Sequence, residues 1–280
     1  MPDPMPPLGA DELDRYFARI GYSGARDADA ATLAAIQAAH LAAIPFENID
    51  TQLGQPPGLD PQAIFAKLVD RGRGGWCYEM NGLFGRALRA LGFAVTRLGG
   101  AVRREHGGDQ SFASHLALRV DIDGEPWLAD AGFAGLLWQP VRLREDAVGR
   151  APLPGAVGRT GDGYWRLEIE GTGMPMYYDF ADRPADEGRL ASLCHWQATA
   201  PESIFVQNLT VQRRIADEHL ALRGKVLTRL TLSGPQQREL ASAEELVAVL
   251  LEDFGLDVPG VARLWPAIEV RHAALFGQAD

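Results

Sequence analysis

Along the first ninety residues the apolar positions recur at helical spacing; from residue 93 they begin to alternate. DELDRYFARIG opens with an acidic turn and stops at glycine, and DADAATLAAIQAAHLAAI runs on to Pro45; both predict helices. DPQAIFAKLVDRGRG offers Asp60 as N-cap, Pro61 at the first helical position and a closing glycine. A fourth helix is predicted over 77–91. Beyond it, FAVTRLGGAVRRE, SHLALRVDI, EPWLADAGF, YWRLEIEG and MPMYYDF read as strands, with Asp123-Gly124 as a type I′ hairpin turn. SIFVQNLTVQRRI and LRGKVLTRLTL add two more strand expectations. SAEELVAVLLEDFG reads as a helix, with Ser242 as N-cap, Glu245 closing a capping box and Gly255 as stop. The last stretch, VARLWPAIEVRHAALFG, is weakly helical. The expected class is α+β: a helical segment over 1–92, an antiparallel β-barrel over 93–200 and an α/β segment over 201–280. Residues 1–10 are Pro-rich and expected to be loose.

The 280 residues are 46% hydrophobic, enough for a sizeable core. Lys and Arg number 27 against 37 Asp and Glu, a net charge of −10. An acidic surface argues against nucleic acids and anionic membranes as partners, but leaves room for a local basic pocket. The one tight basic cluster, Arg213-Arg214, reads as a solvated face. The N-terminus lacks the basic start and apolar core of a signal peptide, and no apolar run approaches the roughly 20 residues that span a bilayer. The expected location is the cytoplasm, where the two cysteines, Cys77 and Cys194, stay free thiols. Cys194 and His195 are adjacent and lack the spacing of a zinc site, so no metal is expected.

Cys77 follows Gly74-Gly75 and begins a helix. A helix N-terminus and a neighbouring imidazolium lower a thiol's pKa from about 8.5 to roughly 3.5–7.5. The two glycines clear side chains from the approach, so that a substrate can meet backbone N–H groups able to stabilise an oxyanion. Of six histidines, His115 stands out through its hairpin. A two-residue turn at Asp123-Gly124 sets His115 opposite Gly132 and Ala117 opposite Asp130. His115 and Asp130 then share a face, diagonal across neighbouring strands, about 7–8 Å apart at the backbone. Gly132 leaves room beside the ring. Asp130, inside apolar WLADAGF, needs a partner because an unpaired buried carboxylate is costly. Taken singly, Cys77 also reads as a small core residue, His115 as a structural histidine and Asp130 as a turn residue. Together they read as a cysteine nucleophile with its base and orienting acid, in a hydrolase or a transferase.

RGGWCYEMNGLF resembles the Arg-Gly-Gly-x-Cys-x-Glu-x-Asn signature of the arylamine N-acetyltransferases. HLAAIPFENID, SHLALRV and WLADAGFAG resemble that family's Ile-Pro-Phe-Glu-Asn block, catalytic-His strand and Asp-Val-Gly-Phe-Gly block, in order. The resemblance is dense over about 40–135 and weak after 160. It implies a papain-like triad of Cys77, His115 and Asp130, a helical first domain, a β-barrel second and an α/β lid. It implies acetyl-CoA as donor and an arylamine, arylhydrazine or hydrazide as acceptor. It assigns Phe133, with Val102 and Phe46, to the acceptor pocket, Ser114 and Gly132 to CoA contacts, and Glu47 with Arg73 to a structural buried ion pair. Ala131 stands where the family usually has Val. Ala134 replaces the usual second glycine, and its methyl group narrows the donor approach.

Three rivals remain at this level. An amide synthase closing a polyketide chain would keep the triad and change the donor. A cysteine hydrolase of the papain or transglutaminase type would act on peptides without CoA. A small-molecule binding protein on a dead scaffold would have no need of all three triad residues.

Overall fold

The structure is a computed structural model that describes residues 3–144, 146–150, 152–171, 173 and 176–276. Met174 and Pro175 of the expected MPMYYDF strand lie outside the described residues. The N-terminal part is helical as expected: Ala10–Ile20, Ala30–Ala43, Pro61–Phe65 and Cys77–Ala90. Asp29 and Asp60 cap the second and third helices by accepting the Thr32 and Ala63 N–H groups. The third continues into a wider π-type turn, Ala66–Asp70. Met1 and Pro2 lie outside the described residues, and the rest of the Pro-rich opening, residues 3–10, is not loose. Met5 and Leu8 are buried in the same core as these helices, and Arg86 holds the carbonyls of Pro6 and Pro61. A two-residue strand, β1 (Phe46–Glu47), interrupts the helical segment.

Eight strands follow: β2 (Ala94–Val102), β3 (His115–Ile122), β4 (Glu125–Ala129), β5 (Val141–Arg142), β6 (Asp146–Arg150), β7 (Leu153–Arg159), β8 (Trp165–Ile169) and β9 (Met176–Phe180). They form one antiparallel sheet in the order β5-β4-β3-β2-β9-β8-β7-β6. Its outer strands, β5 and β6, do not pair with each other, so the expected barrel is an open, curled sheet, half a barrel. The Asp123-Gly124 turn has φ of 52° and 80°, the doubly left-handed geometry of a type I′ turn. It sets Ile122 opposite Glu125 and Leu118 opposite Ala129, the register read from the sequence.

That register sorts β3 by parity. Leu116, Leu118, Val120 and Ile122 join the core of the N-terminal helices. Ala117 turns to the concave side, with Leu98, Leu128, Phe133, Tyr178 and Phe180. The segment expected to be β up to residue 200 ends instead in a helix, Glu187–Thr199.

The second sheet joins β1 to β10 (Thr210–Ile215), β11 (Glu218–Arg223), β12 (Val226–Thr231) and β13 (Gly234–Glu239), in that order and all antiparallel. SIFVQ is a helical turn rather than part of a strand, with the Ser203 hydroxyl capping Phe205 N–H. LRGKVLTRLTL folds back at Gly224-Lys225 into parts of two strands. Helices Ala243–Glu252 and Trp265–Phe276 cover this sheet in a separate core that includes Ile49. Ser242 caps Glu245 N–H as expected, but Glu245 reaches back to the N–H of Ala241, one residue before the cap. Arg213 and Arg214 are not a solvated face. Arg214 is 1% exposed, and Arg213 donates to the Ala42 carbonyl at 2.7 Å.

Candidate active site

Cys77 is the first residue of its helix and is buried. The helix packs on β3, which starts at His115. His115 shares the concave-facing parity of Ala117, and Asp130 follows directly after β4, so the hairpin register brings the two together. His115 Nε2 lies 2.7 Å from Asp130 Oδ2. Cys77 acts electrostatically on the same imidazole, and Nδ1 is the ring nitrogen that Asp130 leaves open. Burial pulls the His115 pKa down. The Asp130 charge and hydrogen bond, together with Cys77, outweigh burial and raise it to about 10. Burial raises the Asp130 carboxyl, but His115, Asn81 and Tyr178 prevail and hold it below the ordinary carboxylate value. The resting pair is therefore imidazolium and carboxylate.

Three residues outside the expected catalytic set support Asp130. Asn81 donates to Asp130 Oδ1 at 2.8 Å and to the Leu116 carbonyl at 2.5 Å, and accepts Ala131 N–H at 2.9 Å. The Tyr178 hydroxyl donates to Asp130 Oδ2 at 2.8 Å, and its ring lies 4.6 Å from that of His115. Gln37 accepts Asp130 N–H at 3.2 Å. Asn81 carried a local signal, since it lies one helical turn beyond Cys77 on the same face. Tyr178 and Gln37 arrive from distant segments and carried none.

The glycines act differently from expectation. A Cβ on Gly74 would collide with the Pro45 carbonyl, and one on Gly75 would meet Glu79 Oε2 at 2.8 Å. They admit protein, not substrate. The Gly75 N–H donates to Pro45 and the Trp76 N–H to Glu79, so neither is free for an oxyanion. A Cβ on Gly132 would meet Cys77 Cα at 2.7 Å. This glycine seats the post-β4 turn on Cys77 rather than making room beside the ring. Its N–H donates to Asp130 Oδ1 at 2.8 Å.

Phe133 stacks edge-on to His115 at 5.4 Å and to Tyr178 at 5.0 Å. Val102 pairs with Tyr178 across β2 and β9, and its N–H donates to Ser114 Oγ at 3.2 Å. Phe46 bridges to Gly75 and stacks with Phe205, which also meets Trp76. Ala134 has φ of 52°, a left-handed conformation that favours glycine, and its carbonyl accepts from His219 at 2.9 Å.

Beneath Cys77 lies a charge cluster. Arg73 bonds Glu47 at 2.9 Å and Asp50 at 2.8 Å; Lys67 bonds Asp50 at 2.9 Å and both oxygens of Glu79 at 2.9 and 3.0 Å. The Glu47–Arg73 pair was expected; Lys67, Asp50 and Glu79 were not. Cys194 is buried, and burial pushes its thiol pKa well up. Among the described residues no group of three or more His, Cys, Asp or Glu side chains is placed to hold a metal, and no helix is long and apolar enough to cross a membrane.

A family model described as N-acetyltransferase matches residues 29–263. The arylamine N-acetyltransferase of Mycolicibacterium smegmatis is 37% identical over 261 residues, covering 90% of this chain and 94% of that protein. That of Escherichia coli K12 is 35% identical, covering 88% and 89%. The solved structure of Mycobacterium marinum arylamine N-acetyltransferase in complex with CoA superposes with a TM-score of 0.84 at 32% identity, over 92% of this chain and 98% of that one. The chain thus belongs to the arylamine N-acetyltransferase family of acyltransferases.

Proposed function

We propose that this chain moves an acetyl group from acetyl-CoA, through an acetyl-cysteine at Cys77, to the nitrogen of an arylamine, arylhydrazine or hydrazide. The observation that supports the reading is the buried His115–Asp130 pair, 2.7 Å between imidazole and carboxylate, with buried Cys77 acting on the same imidazole. An imidazolium held by Asp130 stabilises a thiolate at the helix N-terminus. The Cys77 thiolate attacks the thioester carbonyl carbon. The carbon–sulfur bond to CoA breaks, and the leaving thiolate takes the His115 proton. The amine nitrogen then attacks the acyl-cysteine and gives a proton to the now neutral His115. The acyl–cysteine bond breaks, releasing the amide and restoring the thiolate–imidazolium pair. N–H groups of the first turn of the Cys77–Ala90 helix stabilise the oxyanion of each addition.

Phe133, Phe46 and Val102 form the apolar acceptor wall, which keeps water from the acyl-enzyme. Ser114, Gly132 and Ala134 flank the donor approach. Residues 1–92 carry the nucleophile, 93–200 carry His115 and Asp130, and 201–280 form the lid. The enzyme works in the cytoplasm on small molecules. Initial rates at several fixed amine concentrations test the two-step scheme. Parallel double-reciprocal lines are expected, and intersecting lines would show direct transfer in a ternary complex.

A further inference from the structure

The cluster beneath Cys77 holds two cations, Lys67 and Arg73, against three carboxylates, Glu47, Asp50 and Glu79. With all five ionised it carries one surplus negative charge. Such a charge in a buried site favours taking up a proton. Glu79 is the carboxylate of this cluster that sits on the same helix as Cys77. It is the third residue of the helix that Cys77 begins, and it is 2% exposed. Its Oε2 accepts the N–H of Trp76, the residue before the nucleophile, at 3.2 Å, and fills the space a Cβ on Gly75 would need. Both its oxygens are held by the Lys67 ammonium.

We propose that Lys67 and Glu79 are positioning residues for the nucleophile. The ammonium holds the carboxylate against the Gly75–Trp76 backbone. The carboxylate fixes the turn that presents Cys77, and its protonation sets the negative charge within the helical turn that carries the thiol. The inference rests on Cys77 being the nucleophile.

The charged and titratable groups around Glu79 are Lys67 from the π-type turn, Glu47 from β1 and Asp50 from the turn after it. Cys194 of the Glu187–Thr199 helix and Cys77 in its own helix complete the set, with Arg73 closing the cluster behind Glu47 and Asp50. Burial pushes the Glu79 carboxyl up. Lys67 draws it down, Glu47 and Asp50 raise it again, and it stands at about 7. Proton uptake by Glu79 therefore favours the folded chain. That contribution is full below the ordinary value of 4.5 and is lost as pH rises through about 7.

The test follows the rate of Cys77 alkylation by iodoacetamide against pH, with melting temperatures, in wild type, E79Q, E79A, K67Q and K67Q/E79Q. Wild type should show an inflection near pH 7 as Glu79 ionises. E79Q keeps an acceptor for Trp76 N–H and loses the titration, so the inflection should vanish while labelling stays fast. E79A also loses the cap, and labelling should fall about fivefold at every pH. K67Q leaves one cation against three carboxylates and should melt early, with its inflection moved upward. K67Q/E79Q should recover melting temperature relative to K67Q. An E79Q profile unchanged from wild type around pH 7, or E79A labelling as fast as E79Q, overturns the proposal. If K67Q fails to fold, the E79Q and E79A comparisons still decide it. Acetylation of wild type by acetyl-CoA, read by mass, shows separately whether Cys77 is the nucleophile.

Discussion

Replacing Asp130 with Asn keeps the shape of the side chain and removes its charge. The carboxylate accepts four hydrogen bonds at 2.7–2.8 Å, from Asn81 and Gly132 on Oδ1 and from His115 and Tyr178 on Oδ2. An amide offers one oxygen and one NH2. The Gly132 N–H and the Asn81 NH2 can only donate, so the new oxygen faces them and the new NH2 faces His115. The imidazole must then present a bare Nε2 and carry its proton on Nδ1, next to the thiol it should deprotonate. The rise of His115 from 6.5 to about 10, which Asp130 shares with Cys77, is worth on the order of 4–5 kcal/mol. Turnover of the folded mutant should fall about 10³–10⁴-fold.

The same pair sets the pH dependence of stability. The raised His115 contributes fully below about 6.5, and this is lost as pH rises through about 10. The depressed Asp130 contributes above its ordinary 3.8, and this is lost as pH falls through its lowered value. The melting deficit of Asp130→Asn should be widest between those limits and should narrow towards pH 10. Circular dichroism reports the fold and the melting, and steady-state acetylation of an arylamine reports turnover. A folded mutant with turnover within tenfold of wild type would remove Asp130 from the mechanism.

Two further substitutions separate support from chemistry. Tyr178→Phe removes one of the four donors to a charged acceptor, a loss of about 1.5–3 kcal/mol. Melting should drop, and turnover should fall far less than in Asp130→Asn; an equal loss would place the Tyr178 hydroxyl in the reaction. Arg73→Leu leaves Lys67 alone against three carboxylates and should cost about 3–5 kcal/mol, whereas Glu47→Gln leaves two cations against two carboxylates and should cost less. Both should keep turnover per folded site, so normal melting with lost turnover would mark either residue as catalytic.

The His115–Asp130 pair was legible because each step to it is local. The Asp123-Gly124 turn fixes the β3–β4 register, and the register fixes which residues share the concave face. The helix starting at Cys77 announced itself through the glycines before it and the apolar run after it. Its glycines misled about purpose, since nothing in RGGWC says that Pro45 and Glu79 occupy the space they leave. Strand β7, LPGAVGR, breaks alternation with Pro and Gly and was not seen. The pairing of β1 with β10 joins residues more than 160 apart, and no local pattern encodes it. Arg214 reads as surface because arginine usually is, yet tertiary packing buries it. The supports of Asp130 from Gln37 and Tyr178 fail to show for the same reason: each is ordinary in its own segment and acquires its role only when the segments meet.

The central claim is that Cys77 carries the acyl group. Intact mass of the protein after mixing with acetyl-CoA and no amine tests it directly, with peptide mapping to place the adduct. One acetyl group should appear on Cys77 and none on buried Cys194, and adding an arylamine should discharge it. No adduct, or an adduct on another residue, would contradict the account.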